Sequence, residues 1–414
     1  MAKFEKANSV GEWLEQRLNI KALNKVMMTE YWIPKDINFL WAMGVLLATT
    51  FTILVISGLF LMMYYKPDIN LAFDSVNYTI MQEVAFGWLF RHMHGVAASV
   101  IFLIIYIHML TGIYYGSYKQ GREMIWISGM LLFVTFSAAG FSGYMLPWGQ
   151  MSYWAAMVIT NLFGGVPVIG DALVVWIRGD FNVADATLTR FFMLHVFLLP
   201  IAIMGLIGLH FYTLRIPHVN NQSSDEFDFD AEAEKYLSGN KKESKVIPFW
   251  PVFISKDLAV LGVFLIFYFY LVFFHYSFAM DPVNFDPADP MVTPAHIYPE
   301  WYFLWSYEVL RGFFFDIAGI KAFDIGLIAF AFANGIFFVL PWLDRDNKIL
   351  PAHKRPLFFI WFWLLVVDLI VLTVYGKLPP TGTNAWVGFF AAVAFILLFV
   401  LLPVITKLDQ KRRG

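Results

Sequence analysis

The sequence predicts an all-α polytopic membrane protein: eight transmembrane helices, the first four forming a bundle around two metal centres. Three observations carry this. Of 414 residues, 59% are hydrophobic and 14% charged, with a positive mean hydropathy, far from the composition of a soluble domain. Eight apolar runs are each long enough to cross a hydrocarbon core of about 30 Å. Two of those runs carry matched histidine pairs, His94 with His108 and His195 with His210.

Taken in order, residues 9 to 27 set Val10, Trp13, Leu14, Leu18 and Leu23 among charged neighbours, the pattern of a short helix lying on a membrane surface. The polar, charged N-terminal stretch carries no cleavable signal-peptide pattern. The apolar runs lie near 38–63, 88–115, 124–147, 189–214, 257–276, 322–341, 357–375 and 386–405. Alternating crossings place the N-terminus, the loops after the second, fourth and sixth runs, and the C-terminus on one side. That side holds 22 of the 29 Lys and Arg residues, so it is the cytoplasmic one.

Residues 216–256 are the longest polar stretch, too charged to span, and read as a cytoplasmic linker between an N-terminal four-helix domain (1–215) and a C-terminal one (257–414). On the exterior, the loop near 148–188 alternates apolar turns with Gly and Pro, as short surface helices do. The loop DPVNFDPADPMVTPAHIYPEWYFLWSYEVLRG lies on the same side, and both loops are placed to cover one pocket. The net charge of -2 speaks for no nucleic-acid partner, and zero Cys excludes disulfides, thiolate sites and thioether-linked haem.

His94 and His108 are 14 residues apart, His195 and His210 are 15 apart. Either spacing spans about 21 to 22 Å along a helix. At about 100° per residue the first falls about 40° short of four turns and the second overshoots by about 60°, so each pair keeps to a similar face. Depth pairs His94 with His195 on the exterior side and His108 with His210 on the cytoplasmic side. Two neutral imidazoles facing each other across a buried gap are the usual axial ligands of a non-covalent b-type haem. Any one of them alone could be a helix-packing residue. Four in two matched pairs argue for two haems, because uncompensated polar groups in lipid are expensive.

Glycines repeat the spacing: Gly44 and Gly58 in the first run, Gly129 and Gly143 in the third, each 14 apart. A missing side chain lets a bulky ring approach the backbone, with Gly58 and Gly143 at the outer depth and Gly44 and Gly129 at the inner; small-residue helix packing is the competing explanation. Arg91 and Arg190 precede the outer histidines where cations are otherwise scarce, and Arg122 is placed for the inner haem's propionates.

These residues resemble the cytochrome b family, the haem-bearing core subunit of quinol–cytochrome c oxidoreductases, over roughly residues 28–405. FSGYMLPWGQMSYW, TLTRFF, HIYPEWYFLWSYEVLR and LPWLDRDNK carry the resemblance. It implies quinol oxidation in the exterior pocket, one electron leaving to a mobile Rieske-type iron-sulfur protein and the other crossing two b haems to reduce quinone on the cytoplasmic side. A c-type cytochrome partner, surrounding lipid, a homodimeric complex and a bacterial inner membrane with cytoplasmic termini belong to the same expectation. Glu300, a carboxylate in an apolar and aromatic loop, is suited by desolvation to accept a quinol proton; a helix-capping role is the plainer alternative. By resemblance Tyr144, Tyr302 and Tyr307 line or support that pocket, with Phe141 and Trp148 nearby, although interfacial tyrosines are common at that depth.

For the inner quinone site the resemblance singles out Lys256 and Asp257, otherwise a surface ion pair. It adds Arg215, where mitochondrial relatives carry His and the photosynthetic branch Arg, with His218 beside it. The 15-residue spacing resembles the photosynthetic branch and the fused eight-helix chain the mitochondrial and proteobacterial form. Ala155 stands where many mitochondrial relatives have Gly. A di-haem membrane anchor of another dehydrogenase or reductase would share the histidines without needing eight helices or the Pro-Glu-Trp-Tyr loop. A secondary transporter would show inverted repeats and broken helices, which this sequence lacks.

Overall fold

A computed structural model describes residues 8–18, 21, 28, 30–223 and 226–413. Helix α1 (Val10–Leu18) is the expected amphipathic segment; its predicted continuation to Leu23 lies outside the described residues. Among the described residues, eight helices are long and apolar enough to span: α2 (Phe39–Met62), α3 (Gly87–Tyr114), α4 (Glu123–Met145), α7 (Asp185–Arg215), α9 (Phe249–Phe274), α11 (Ala322–Leu343), α12 (Pro356–Lys377) and α13 (Thr383–Arg413). Each coincides with one predicted run. The fifth begins at Phe249 rather than near 257, because a wide turn over Phe249–Phe253 leads into it.

The loop after α4 folds into two short helices, α5 (Gln150–Leu162) and α6 (Gly170–Arg178). The loop after α9 ends in α10 (Leu304–Arg311). The two loops are knitted together. Gln150 N–H donates to the Asp286 carbonyl at 2.8 Å, Ser152 N–H to Asn284 Oδ1 at 2.7 Å, and Asp289 N–H to Gln150 Oε1 at 2.7 Å.

The linker expected over 216–256 is more than a tether. It holds α8 (Phe229–Leu237), capped by Asp228, whose side chain accepts from Asp230 and Ala231 N–H, as Asp does at a helix start. It also holds strand β2 (Val246–Pro248), antiparallel to β1 (Trp32–Pro34) in the register Trp32 to Pro248. Beside it, Asp344 and Asp346 after α11 bind Arg355 at 2.7 and 3.1 Å, and Tyr118 donates to Asp344 at 2.6 Å. This buried network ties the end of α3 to the C-terminal helices.

The main apolar core joins α3 and α4 to α10–α13 through Phe102, Phe133, Trp305, Phe337, Trp361 and Phe395. Helix α7 joins it through Ile203 and Ile207 but leaves Phe197, Ile201, Met204, Phe211 and Tyr212 exposed. Its α-helical ladder is broken by one π-turn over Leu194–Leu198, which contains His195. Pro200, just beyond, has no N–H to complete the ladder, and such single wide turns take up one extra residue.

Candidate functional site

That π-turn resolves the unequal spacings. Fifteen residues with one i→i+5 turn advance along and around the axis nearly as 14 residues of α-helix do. The 100° discrepancy expected between the pairs is therefore removed. His94 faces His195 with ring centroids 6.1 Å apart, and His108 faces His210 at 6.4 Å, the pairing that depth predicts. A histidine nitrogen sits about 2 Å from a first-row metal. With the ring centre about 1 Å behind it, two rings across one metal need centroids about 6 Å apart. Both pairs fit a bis-histidine iron.

The rings are held from behind. Ser57 Oγ lies 3.0 Å from His94 Nδ1, Ser128 Oγ 2.9 Å from His210 Nδ1, and the Ala139 carbonyl 2.9 Å from His195 Nδ1. Engaging Nδ1 leaves Nε2 toward the gap, the usual way an outer partner fixes the tautomer of a ligating histidine. Neither serine was among the expected residues. The signal was in the sequence, an Ile-Ser-Gly triplet at 56–58 and again at 127–129.

Three of the glycines abut a histidine of the depth expected for them, and the imidazoles occupy the space they leave. A Cβ at Gly58 would stand 3.2 Å from His94, one at Gly129 3.3 Å from His210, and one at Gly143 would collide with His195. Gly44 has open space beside it.

The arginines divide. Arg91 lies one turn before His94, its Nη1 3.0 Å from where a Cβ on Gly95 would be. Arg122 donates to the Pro217 carbonyl at 3.2 Å, while its buried Nε has no hydrogen-bond partner among the described residues, as suits a group awaiting an anion. Arg190 is exposed and donates to the Trp176 carbonyl near the end of α6.

On the side of the His94–His195 pair an apolar cavity of about 400 Å³ is lined by Phe141, Ala155, Ile159, Ile297, Pro299, Tyr307 and Phe330, among others. The loops after α4 and α9 both contribute, as expected. Glu300 follows Pro299 in the chain. It occupies the N-cap position of the turn Trp301–Phe303 but makes no capping hydrogen bond, so the capping explanation fails. Its Oε1 is buried with no partner among the described residues, and burial, aided by Asp281, pushes the carboxyl up to about 8.

Tyr307 lines the cavity and donates to the Ile297 carbonyl at 3.2 Å. Tyr302 supports it from behind, buried and stacked on Phe102 at 3.8 Å; its phenol is held well above its usual value by burial and then by Glu300. Tyr144 lies within electrostatic reach of Glu300 and Tyr298. Trp148 adopts a left-handed φ of 52° and accepts from Ala288 N–H, closing the loop junction. Sequence reasoning overlooked Ile297 and Tyr298, since nothing in their types marks them.

On the side of the His108–His210 pair Arg215 stands 3.6 Å over the Tyr31 ring, and His218 stacks between Tyr31 and Phe229 at 5.9 and 4.3 Å. Burial, with Arg215 and Arg122 adding and Asp230 opposing, holds His218 below its usual value. Lys256 is exposed and Asp257 half-buried on the first turns of α9. No hydrogen bond or ion pair joins either to this cluster among the described residues.

Fold and site define a class: a multi-pass helical membrane protein with two stacked bis-histidine sites between α3 and α7. Comparison with known proteins narrows it. The profile described as cytochrome b/b6/petB matches residues 28–217, and that described as cytochrome b (C-terminal)/b6/petD matches residues 287–408. Cytochrome b of Rickettsia conorii is 39% identical over 407 residues, covering 98% of this chain and 96% of the relative. Cytochrome b of Rhodobacter capsulatus is 38% identical over 421 residues, covering 98% and 93%. A solved structure described as a hyperthermophilic respiratory complex III superposes with a TM-score of 0.88 at 37% identity, covering 97% of this chain and all of that one. The chain belongs to the cytochrome b family, and its work is electron transport.

Proposed function

We propose that this chain oxidises quinol in the exterior cavity and reduces quinone at the cytoplasmic cluster, as the core of a respiratory quinol–cytochrome c oxidoreductase. The observation that carries this is Glu300, a buried carboxyl with one oxygen that has no hydrogen-bond partner among the described residues, beside an apolar cavity large enough for a quinol headgroup, on the side of the His94–His195 pair. A general base works best with a pKa near the operating pH, and burial brings Glu300 there. The apolar wall excludes water, while Tyr307 and the Ile297 carbonyl shape its rim.

Two b-type haems, when bound, supply one-electron carriers at the two histidine depths. His94 and His195 would hold the outer one, His108 and His210 the inner one. Arg122 is suited to its propionates, and by chain position Arg91 and Arg190 to those of the outer haem. At the inner quinone site Arg215 and His218 supply cationic and donor groups against the flat faces of Tyr31 and Phe229. Lys256 and Asp257 would shuttle protons at the start of α9. The boundaries 1–215, 216–256 and 257–414 separate the haem-holding domain, the linker and the domain that carries the quinol loop.

The chain has zero Cys and thus no ligand set for an iron-sulfur cluster or thioether haem. A Rieske-type protein and a c-type cytochrome would complete the reaction. The exposed apolar face of α7 suits lipid or a second copy, as in a homodimeric complex. Lys and Arg bias puts both termini on the cytoplasmic side of a bacterial inner membrane. The test is quinol-to-cytochrome c turnover in the assembled complex. Glu300→Gln should lower it about 100-fold with both haem signals intact, and unchanged turnover contradicts the proposal.

A further inference from the structure

Helix α10 has two faces. One, with Ser306, Tyr307 and Leu310, lines the exterior cavity. The other, with Leu304, Trp305, Glu308 and Val309, is buried. Glu308 is the one charged residue on that buried face, with a side chain 2% exposed. A carboxylate placed there without a partner would be strongly destabilising, so its contacts explain its presence.

Glu308 Oε2 accepts from Arg311 Nε at 2.5 Å, one turn further on. Its carboxylate also presses on α13, where a Cβ at Gly388 would collide with Oε1. Arg311 uses its Nη2 on α12, donating to the carbonyls of Tyr375 and, at 2.6 Å, Leu378. These belong to the last turn and C-cap of α12, where helical carbonyls lack partners and favour a cation. One ion pair thus fastens α10 to both α12 and α13.

The same guanidinium stands 5.0 Å over the Tyr307 ring, whose hydroxyl donates to the Ile297 carbonyl at 3.2 Å. Tyr307 and Ile297 both line the cavity, and Ile297 is three residues before Glu300. The contacts run unbroken from α13 through Glu308, Arg311 and Tyr307 to the loop that carries the proposed base.

We propose that Glu308 is a positioning residue for the quinol cavity: paired with Arg311, it fixes the Tyr307 ring and the Ile297 carbonyl where the quinol headgroup binds. Truncating it leaves Arg311 Nε without its carboxylate, so the guanidinium, still tied to the Tyr375 and Leu378 carbonyls, shifts toward them and releases Tyr307. An amide still accepts from Arg311 Nε. A lysine at 311 keeps the charge but cannot reach Glu308 and two carbonyls at once.

The inference rests on the cavity being a quinol site, and the experiment separates the two. Steady-state quinol-to-cytochrome c kinetics and b-haem content are measured on the assembled complex for wild type, Glu308→Ala, Glu308→Gln and Arg311→Lys. Glu308→Ala and Arg311→Lys should raise KM for quinol about fivefold to tenfold, with kcat and haem content little changed, while Glu308→Gln stays close to wild type. An unchanged KM in Glu308→Ala or in Arg311→Lys overturns the inference, as does a uniform loss of haem content with no change in KM. Should Glu308→Ala not assemble, Arg311→Lys against Glu308→Gln decides by the same criterion. Failure of the wild type to oxidise quinol, or indifference to Glu300→Gln, would instead overturn the reading of the cavity.

Discussion

Glu300 and the two serines behind the histidines show what single side chains contribute. The Glu300 carboxyl is raised to about 8, so its proton-accepting form grows as pH rises through that value. Quinol oxidation should accordingly accelerate with pH over an interval centred near 8, and Glu300→Gln, which cannot ionise, should flatten that limb. A pH profile of single-turnover haem reduction by quinol checks it. Ser57 and Ser128 act one bond further out, holding Nδ1 of His94 and His210. Loss of such a partner typically weakens metal binding about 10- to 100-fold. Ser57→Ala should therefore loosen the outer haem alone and Ser128→Ala the inner alone, read from haem retained on dilution and from the shift of one midpoint potential.

Among the elements, α7 departs most from what periodicity leads one to expect. Its π-turn at Leu194–Leu198 takes up the fifteenth residue and returns His195 and His210 to the phase of His94 and His108. A residue count cannot show this, because hydrophobic pattern in a helix that is apolar on nearly every side carries little phase information; Pro200 was the local hint. Deleting Val196 should convert the turn to α-helix, shorten the spacing to that of α3, and leave both haems bound. Adding one alanine after Leu103 in α3, which has no such turn, should rotate His108 by about 100° and abolish the inner haem signal. Equal haem loss in the two variants would mean that the wide turn does not do this.

At the scale of the whole molecule, the eight spans and the pairing of histidines by depth were legible in the sequence, because hydrophobic length and helical rise are local quantities. Glu300 stood out for the same reason, as a carboxyl in an apolar loop. Ile297, Tyr298, the linker's β1–β2 ribbon and the Glu308–Arg311 fastening were not legible. Most depend on contacts between segments: Tyr307 reaches back to Ile297 at the cavity rim, Trp32 meets Pro248 across the linker, and Arg311 meets the end of α12. Lys256 and Asp257, named by resemblance alone, stand without a bond to His218 or Arg215 among the described residues.

The account rests on two haem sites in one chain, held by four histidines on two helices. Its most direct test is the dithionite-reduced minus oxidised spectrum of the purified chain and of His94→Ala and His210→Ala. Two b-type components are expected in the wild type, with loss of one in His94→Ala and of the other in His210→Ala. Absence of a b-type signal, or full haem content in both variants, would contradict it.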